Sequence, residues 1–293
     1  PAAWHMAALA GFSGCTKNER VMVLLELERI TALHSREKTL TDDGLLDTIE
    51  LCHTAPVPFL RLAVSAAVIL GMRNADRLTS YALAKGCFTV ANVLRELDEQ
   101  RGHAYCLLND AREVPIENES VDAVITSPPY INVFNYHQNY RKAVELLGWR
   151  PLEAARSEIG ANRKFRGNRF MTVVQYCIDM HQSLQESSRV LQNGAPFIIV
   201  LGRTSNVLGT SFANGQILSE LIKCSGSLDL VDQAERSFTS RFGDKIFEDI
   251  LIARKIGASR ATDVEARRIG ILALERGLPT VPEKNRSALL SAI

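Results

Sequence analysis

The sequence predicts an α/β domain preceded by a helical region. From about residue 104 onward, short apolar segments alternate with segments of helical spacing, which is typical of an α/β sheet. Within this part, Phe197 to Leu201 is a continuous apolar run, as expected for a central strand buried on both faces. Residues 1–103, in contrast, show helical spacing and no convincing strand.

The helical region contains several separate helices. Thr16 to Glu19 fits a capping box, and the helix that it predicts continues over residues 20–29. Pro56 and Pro58 separate two of the later helices. These later helices are expected near residues 43–53, 59–72, 76–85 and 88–100.

The alternating part predicts strands first and a helical tail at its end. We expect strands at 104–108, 121–126, 197–201, 228–231 and 247–253, and helices at 171–192, which Gly194 ends, and at 214–224. A helical tail follows from about 257, broken by Gly277 and Pro279. The predicted organisation is a helical region at 1–103, an α/β domain at 104–255 with a basic insertion at 131–170, and a helical C-terminal tail at 256–293.

Composition excludes several classes of protein. The 293 residues are 46% hydrophobic and carry a net charge of +1, so a sizeable core is expected and general polyanion binding is not. The longest apolar stretch, Leu62 to Met72, is too short to span a bilayer, and no secretory leader is evident. The six cysteines form no CxxC pair, so neither zinc nor a disulfide framework is predicted, and no metal site is expected. We therefore expect a cytoplasmic protein with reduced thiols and no membrane contact.

A proline-rich corner after the predicted strand 121–126 carries most of the chemical information. It reads Ser127-Pro128-Pro129-Tyr130. Proline fixes its own φ, lacks an N–H and favours an extended residue before it, so the corner is stiff and rich in acceptors. The Ser127 hydroxyl and the Pro128 carbonyl can both accept hydrogen bonds, and Tyr130 offers a flat face for stacking. The alternative is an exposed polyproline loop without chemistry, which the apolar strand before it disfavours.

Two acceptors held close together suit an amino group. The exocyclic amine of cytosine or adenine is a poor nucleophile, because its lone pair is delocalised into the ring. Acceptors that bind both N–H groups free that lone pair for attack on an electrophilic methyl group. Such a reaction needs positioning and electrostatics, and neither a metal nor a covalent intermediate.

The segments Asn109–Arg112 and Ser120–Tyr130 together resemble the S-adenosylmethionine-dependent amino-methyltransferases of DNA. In that family the Ser-Pro-Pro-Tyr corner is the catalytic motif and favours N4 of cytosine, whereas Asp-Pro-Pro-Tyr and Asn-Pro-Pro-Tyr are more usual for N6 of adenine. The resemblance runs from about residue 100 to about residue 255. It implies a Rossmann-like methyltransferase sheet, S-adenosylmethionine as cofactor, DNA as partner, and a role in a restriction–modification or related system. The implied catalytic residues are Ser127, Pro128, Pro129 and Tyr130.

The resemblance also implies a cofactor side. An acidic or amide residue after the third strand of the family binds the adenine of the cofactor, and Asp110 is the candidate here. Asn109, Ala111 and Thr126 complete the predicted cofactor-binding set. The alternative interpretation of Asn109-Asp110 is a simple turn cap.

The glycine-rich cofactor loop of the family has no counterpart in this sequence. The nearest segment, Gly11 to Cys15, lacks the second glycine and a strand before it. In the family the first two strands lie between the third and fourth, so the sheet is predicted to be incomplete in this chain. We expect a second polypeptide or a missing N-terminal segment to supply the loop.

A basic segment follows the corner. Between residues 136 and 169 there are eight basic and three acidic residues, which is typical of a phosphate-contacting loop, although a solvated surface loop is the alternative. The aromatics beside the corner could line a pocket for an extruded base or pack in a small core. His137 and His181 are expected to be ordinary surface or half-buried residues. The predicted nucleic-acid contacts are Asn135, Tyr136, Arg163, Lys164, Arg166 and Arg169.

Two other functions remain open from the sequence. RNA-guanosine and protein-glutamine methyltransferases also use a Pro-Pro-Tyr corner, although Ser at its first position argues mildly against them. The missing glycine loop is also compatible with a DNA-binding half of a split methyltransferase that binds no cofactor itself.

Overall fold

The computed structural model describes residues 12, 14–34, 42–73, 77–96, 105, 107, 109–131, 140–154, 158–160, 165, 167–240, 243–259 and 261–293, without the side chains of 34 and 42–46. The chain forms two compact units. One consists of residues 1–108 and 136–154, and the other of residues 109–135 and 155–293. This division differs from the predicted one, since part of the basic insertion belongs to the helical unit and the C-terminal tail belongs to the α/β unit.

The first unit is helical in its described residues. Its helices are α1 Lys17–His34, α2 Asp42–Thr54, α3 Pro58–Gly71, α4 Ser80–Glu96, α5 Arg141–Leu146 and α6 Pro151–Ala154. The predicted capping box begins α1: the Thr16 amide donates to Glu19 Oε2 at 2.9 Å, and the Glu19 amide donates to Thr16 Oγ1 at 3.2 Å. The core of this unit includes the fully buried Leu27, Val64, Leu83 and Cys87.

Helix α4 corrects one prediction. The sequence predicts two helices, 76–85 and 88–100, but residues 80–96 form one. Gly86 lies inside it, where an added Cβ would collide with the carbonyl oxygen of Ala67 on α3. The glycine therefore allows two helices to approach closely and does not end a helix.

The second unit is built on a four-stranded mixed sheet. The strands lie in the order β1-β2-β6-β5, with β1 parallel to β2 and β6 antiparallel to both of its neighbours. A separate hairpin, which the sequence did not predict, consists of β3 and β4. The strands are β1 Val124–Thr126, β2 Pro196–Gly202, β3 Thr204–Val207, β4 Thr210–Ala213, β5 Leu228–Thr239 and β6 Lys245–Lys255.

Four helices complete this unit: α7 Met171–Val190, α8 Asn214–Ser225, α9 Asp263–Gly277 and α10 Glu283–Leu290. The tail forms α9 and α10 with a break at 278–282, as predicted, and both helices contribute to the core of the unit.

His181 on α7 is completely buried, so the expectation of a surface or half-buried histidine was wrong. In the described part of the chain, no helix is long and apolar enough to cross a membrane.

The two faces of the sheet differ in cover. On β2, Phe197, Ile199 and Leu201 are buried in the core that the helices form, and their β6 partners Ala253 and Leu251 are buried with them. The alternate residues are only half-buried, and none belongs to that core. These residues are Ile198, Val200, Ile250 and Ile252, and beside them Ile125 of β1, the register partner of Ile198, is 74% exposed. We call these five the open face.

The predicted α/β class with a helical N-terminal region is confirmed in the described residues. Strand β1 lies at one edge of the sheet and pairs only with β2 among the described residues. It is shorter than predicted, because Val121 forms only an isolated bridge to Leu191. The predicted strand 104–108 falls mostly outside the described residues, and residues 105 and 107 lie in no strand.

Candidate functional site

The proline corner follows β1 directly and is set by contacts on both sides. Ahead of β1, the amides of Ser120 and Val121 both donate to the carbonyl of Val190 at 2.9 Å, which fixes the approach to the strand at the end of α7. After β1, Ser127 is exposed, Pro128 is buried, and Ile131 is completely buried. The exposed Ser127 therefore stands between a hydrogen-bonded strand and a buried anchor.

A cleft of about 410 Å³ lies beside the corner, within the range of about 300–1,000 Å³ that is usual for ligand pockets. One wall consists of β1 and the corner, and the other is formed by α7 and the segment before β1. Most of its lining is apolar, with the polar groups of Thr126, Ser127, Ser183, Glu186 and Ser187 among it. Of the predicted site residues, the structure brings five to this cleft: Ala111, Thr126, Ser127, Pro128 and Pro129.

Tyr130 is held at the carboxyl end of β2. Its ring lies against Gly202, where an added Cβ would come within 2.9 Å of Tyr130 Cε2. Its backbone carbonyl faces Gly160, where an added Cβ would lie 2.6 Å from the oxygen. The hydroxyl donates a long hydrogen bond, 3.4 Å, to Glu248 Oε1 on β6. Gly202 and Gly160 thus make room for Tyr130, and one part of its ring is covered by the end of β2.

Asp110 and Asn109 do not line the cleft. Arg112 donates to both carboxylate oxygens of Asp110, at 2.9 and 2.6 Å, and to Oδ1 of the buried Asp179 on α7 at 2.7 Å. These hydrogen bonds, with that to Asp110 the largest cause, raise the pKa of Arg112. The Asn109 side chain donates to the Glu113 carbonyl at 3.4 Å. Asp110 and Asn109 are thus engaged in local contacts, and the hydrogen bond from Arg112 to Asp179 ties this turn to α7.

A second ion pair holds the segment before β1. Arg189 pairs with Glu186 at 2.7 Å, and it donates to the carbonyl groups of Val114 and Ile116 at 3.1 and 2.8 Å. The Val114 amide in turn donates to Glu186 Oε1 at 2.8 Å. The hydrogen bond from Arg189 lowers the pKa of Glu186. Glu186 and Arg189 therefore shape the cleft wall opposite the corner.

Most of the residues predicted to contact nucleic acid lie outside the described part of the chain. Five of the six lie outside the described residues: Asn135, Tyr136, Arg163, Lys164 and Arg166. Arg169, the sixth, is half-buried just before α7. No cluster of three or more metal-ligating side chains occurs in the part of the chain that the structure describes.

Charged residues at the carboxyl end of β2 were missed by the sequence analysis. Arg203, next to Gly202, pairs with Glu235 at 2.6 Å and with the buried Asp249 at 3.2 Å. Glu248 pairs with Arg236 at 2.5 Å while it accepts from Tyr130. The partners of Arg203 lie on β5 and β6, and Arg236 meets Glu248 only through the pairing of these two strands, so residue spacing alone gave no signal for these pairs.

Comparison with known proteins gives partial similarities. No protein family profile matches the chain. A curated relative, "Type II methyltransferase M.MjaII" from Methanocaldococcus jannaschii, is 26% identical over 173 residues, which cover 49% of this chain and 32% of the relative. The chain thus spans about a third of the length of that relative.

Solved structures give weaker likenesses. A SAM-dependent methyltransferase from Methanosarcina mazei has a TM-score of 0.32 at 13% identity, over 58% of this chain and 78% of that one. A protein from Thermus thermophilus, assigned as a DNA modification methylase, has a TM-score of 0.32 at 18% identity, over 53% of this chain and 55% of that one. In complex with S-adenosyl-L-methionine it has a TM-score of 0.30 at 19% identity, over 53% and 56%. Such scores do not by themselves establish a shared fold.

Proposed function

We propose that this chain is the base-binding part of an S-adenosylmethionine-dependent DNA methyltransferase that modifies an exocyclic amine, with N4 of cytosine as its target. One observation carries the proposal: the corner follows β1 at the carboxyl end of the parallel pair β1 and β2, and its residues Ser127, Pro128 and Pro129 line a cleft. Open α/β sheets bind their ligands at this edge. The partial similarity to a type II methyltransferase supports the same class of reaction.

The chemistry would be performed by two acceptors and a stacking ring. The Ser127 hydroxyl and the Pro128 carbonyl would each accept one N–H of the amine, which localises the lone pair on nitrogen. Tyr130 would contact the face of the base, which has to leave the duplex to reach the corner. The nitrogen would gain the methyl group as the bond between that carbon and the sulfonium sulfur breaks, and it would then lose one proton to water.

The residues that line the cleft are suited to hold S-adenosylmethionine on the side next to the corner. When bound, S-adenosylmethionine supplies an electrophilic methyl group on its sulfonium. The cleft offers an apolar lining, to which Ala111 contributes, with the hydroxyls of Thr126 and Ser127, so these residues would hold the cofactor next to the corner. Asp110 would reach an adenine only if it exchanged its hydrogen bonds with Arg112.

The open face and the position of β1 at the edge of the described sheet support the proposal of a completing segment. Parallel strands are almost always covered on both faces, but among the described residues β1 pairs only with β2, and Ile125 is 74% exposed. A second polypeptide or an N-terminal segment that carries the glycine-rich loop would pair with β1 and cover the open face. The relative from Methanocaldococcus jannaschii extends well beyond the matched region, and this is compatible with such a segment.

The proposal is tested by methyl transfer to plasmid DNA, with the completing segment added if the isolated chain is inactive. Ser127→Ala should reduce the rate about 100-fold or more, as expected when a charge-stabilising group is removed from a reacting centre. Ser120→Ala is the matched control, because Ser120 is an exposed serine in the segment before β1 and its hydroxyl donates to the Glu117 carbonyl. Equal rates for both variants would refute the role of the corner. Methylation of tRNA or a peptide, with DNA unmodified, would identify the alternative substrates.

A further inference from the structure

One row of paired residues crosses the sheet at the carboxyl end of β2. Gly202 of β2 is the register partner of Glu248 on β6, and Glu248 is in turn the partner of Arg236 on β5. Cross-strand partners share a face, and alternation along the strands places this row on the same face as Val200 and Ile250. The row therefore lies at the carboxyl end of the open face, which is the edge of the sheet that the proline corner follows.

The Tyr130 ring occupies the place that a side chain at Gly202 would take. A Cβ at Gly202 would lie 2.9 Å from Cε2, 3.2 Å from Cδ2 and 3.4 Å from Cζ of this ring. The Tyr130 hydroxyl donates to Glu248 Oε1 at 3.4 Å. The ring thus lies over the glycine of the row, and its hydroxyl is bound by the next side chain in the same row.

The Glu248 carboxylate is held from two sides. Arg236 Nε donates to its Oε2 at 2.5 Å, while the Tyr130 hydroxyl donates to its Oε1. The Glu248 side chain is only 13% exposed, although that of Arg236 is 56% exposed. An ionised carboxylate has no hydrogen to donate, so the tyrosine has to be the donor. Arg236 therefore orients a carboxylate whose other oxygen sets the direction of the Tyr130 hydroxyl.

We propose that Glu248 is a positioning residue, which orients the Tyr130 ring so that the part not covered by Gly202 contacts the target base. This inference rests on the proposed function, in which Tyr130 contacts the face of that base. Gly160 confines the backbone of Tyr130 and Gly202 confines one part of its ring, and the hydroxyl contact then fixes the tilt of the ring. The competing interpretation is that the hydrogen bond only ties the corner to the sheet and contributes to stability alone.

The experiment measures kcat and KM for plasmid DNA in the methyl-transfer assay, with the completing segment present. Glu248→Ala should lower kcat about 5- to 10-fold, because a mobile ring holds the base less often in a reactive geometry. KM for DNA should change less than about 2-fold, because phosphate contacts dominate DNA affinity. Glu248→Gln keeps a carbonyl oxygen that accepts from Tyr130, so it should restore most of kcat. Glu235→Ala is the matched control, since Glu235 lies on β5, pairs with Arg203 and is 66% exposed, and it should leave both constants unchanged.

A double-mutant cycle tests whether Glu248 acts through Tyr130. Tyr130→Phe removes the same hydrogen bond, so it should lower kcat to the level of Glu248→Ala, and the double variant should be no slower than either. Nuclear magnetic resonance of the chain with ring-labelled tyrosine gives a readout that does not depend on activity. The Tyr130 signal, assigned by its loss in Tyr130→Phe, should move in Glu248→Ala and stay in place in Glu235→Ala.

A wild-type kcat in Glu248→Ala, an unmoved Tyr130 signal, or losses that multiply in the double variant would overturn the positioning role. A lower denaturation midpoint in Glu248→Ala with an unchanged kcat would also overturn it, because a purely structural contact gives that result. All of these outcomes leave the methyl-transfer test of Ser127 unaffected. If the wild-type chain with its completing segment transfers no methyl group to DNA, the proposed function fails, and the positioning role is overturned with it even where the Tyr130 signal moves.

Discussion

The covered and open faces of the sheet share the same strands but differ in their surroundings. On β6, Leu251 is completely buried against the helices, while its neighbour Ile250 is half-buried and outside the core. Both are large aliphatic residues, so the sequence is equally apolar on the two faces. A pattern that is apolar on both faces is typical of strands covered on both sides. These strands therefore have the apolar pattern of a sheet that is covered on both faces, but the described residues cover only one face.

The largest expected effect is the loss of stability when Leu251, rather than its neighbour Ile250, is shortened to alanine. Leu251→Ala should lower the free energy of unfolding by about 3–4 kcal/mol, because it leaves a cavity in a packed core. Ile250→Ala should lower it by about 1 kcal/mol or less, because its side chain is already partly in water. Chemical denaturation of the isolated chain, followed by circular dichroism, measures both. Similar losses for the two variants would show that the open face is covered within this chain.

A smaller effect on stability is expected from the ion pair between Glu186 and Arg189, which holds the segment before β1. Since Arg189 lowers the pKa of Glu186 in the folded state, the pair stabilises the fold above the unfolded pKa of about 4.3 and loses its effect as pH falls through the folded pKa. Glu186→Gln should lower the free energy of unfolding by about 1–2 kcal/mol at pH 7, and the difference from wild type should shrink below about pH 4. Unfolding measured at a series of pH values tests this.

The matched control for Glu186 is Glu153→Gln. Glu153 lies 3.4 Å from Arg150 on an exposed surface. Exposed pairs contribute little, so a change of less than about 0.5 kcal/mol is expected at any pH. A pH-independent loss in Glu186→Gln would show that Glu186 acts through packing and not through its charge.

A further small effect is expected on the open face itself. Ile252→Thr should change the free energy of unfolding of the isolated chain by about 0.5–1 kcal/mol, since a β-branched residue is kept and little burial is lost. It should also reduce the binding of an apolar fluorescent dye, which detects exposed hydrophobic surface. Leu25→Thr on the exposed surface of α1 is the control for dye binding. Unchanged dye fluorescence would mean that the open face is not accessible to a partner.

The sequence predicted the elements whose signals are local. The capping box at Thr16, the apolar run of β2 and the break between α9 and α10 depend on neighbouring residues, and each is confirmed. The corner at 127–130 was found for the same reason, because proline restricts its own neighbourhood. Its catalytic role stays a prediction.

Other features depend on tertiary contacts and left no local signal. Strand β5 was expected to end at residue 231 but continues to Thr239 through polar residues, because its outer half leaves the core and no face needs apolar residues. Helices were expected at 76–85 and 88–100, whereas α4 runs through Gly86, which the close approach of α3 explains. Likewise, the environment of Tyr130 involves Gly160, Gly202 and Glu248, which are 30 to 118 positions away in sequence.

Each unit contains a deeply buried cysteine whose chemical labelling would report the opening of that unit: Cys87 in the helical unit and Cys177 in the α/β unit. Burial raises the pKa of Cys87 in the helical unit and of Cys177 in the α/β unit to about 12. A maleimide or disulfide reagent reacts with thiolates, so neither sulfur is reactive until its surroundings open. The rates at which the two cysteines become labelled would therefore time the opening of the two units separately, and would reveal which one a bound partner stabilises.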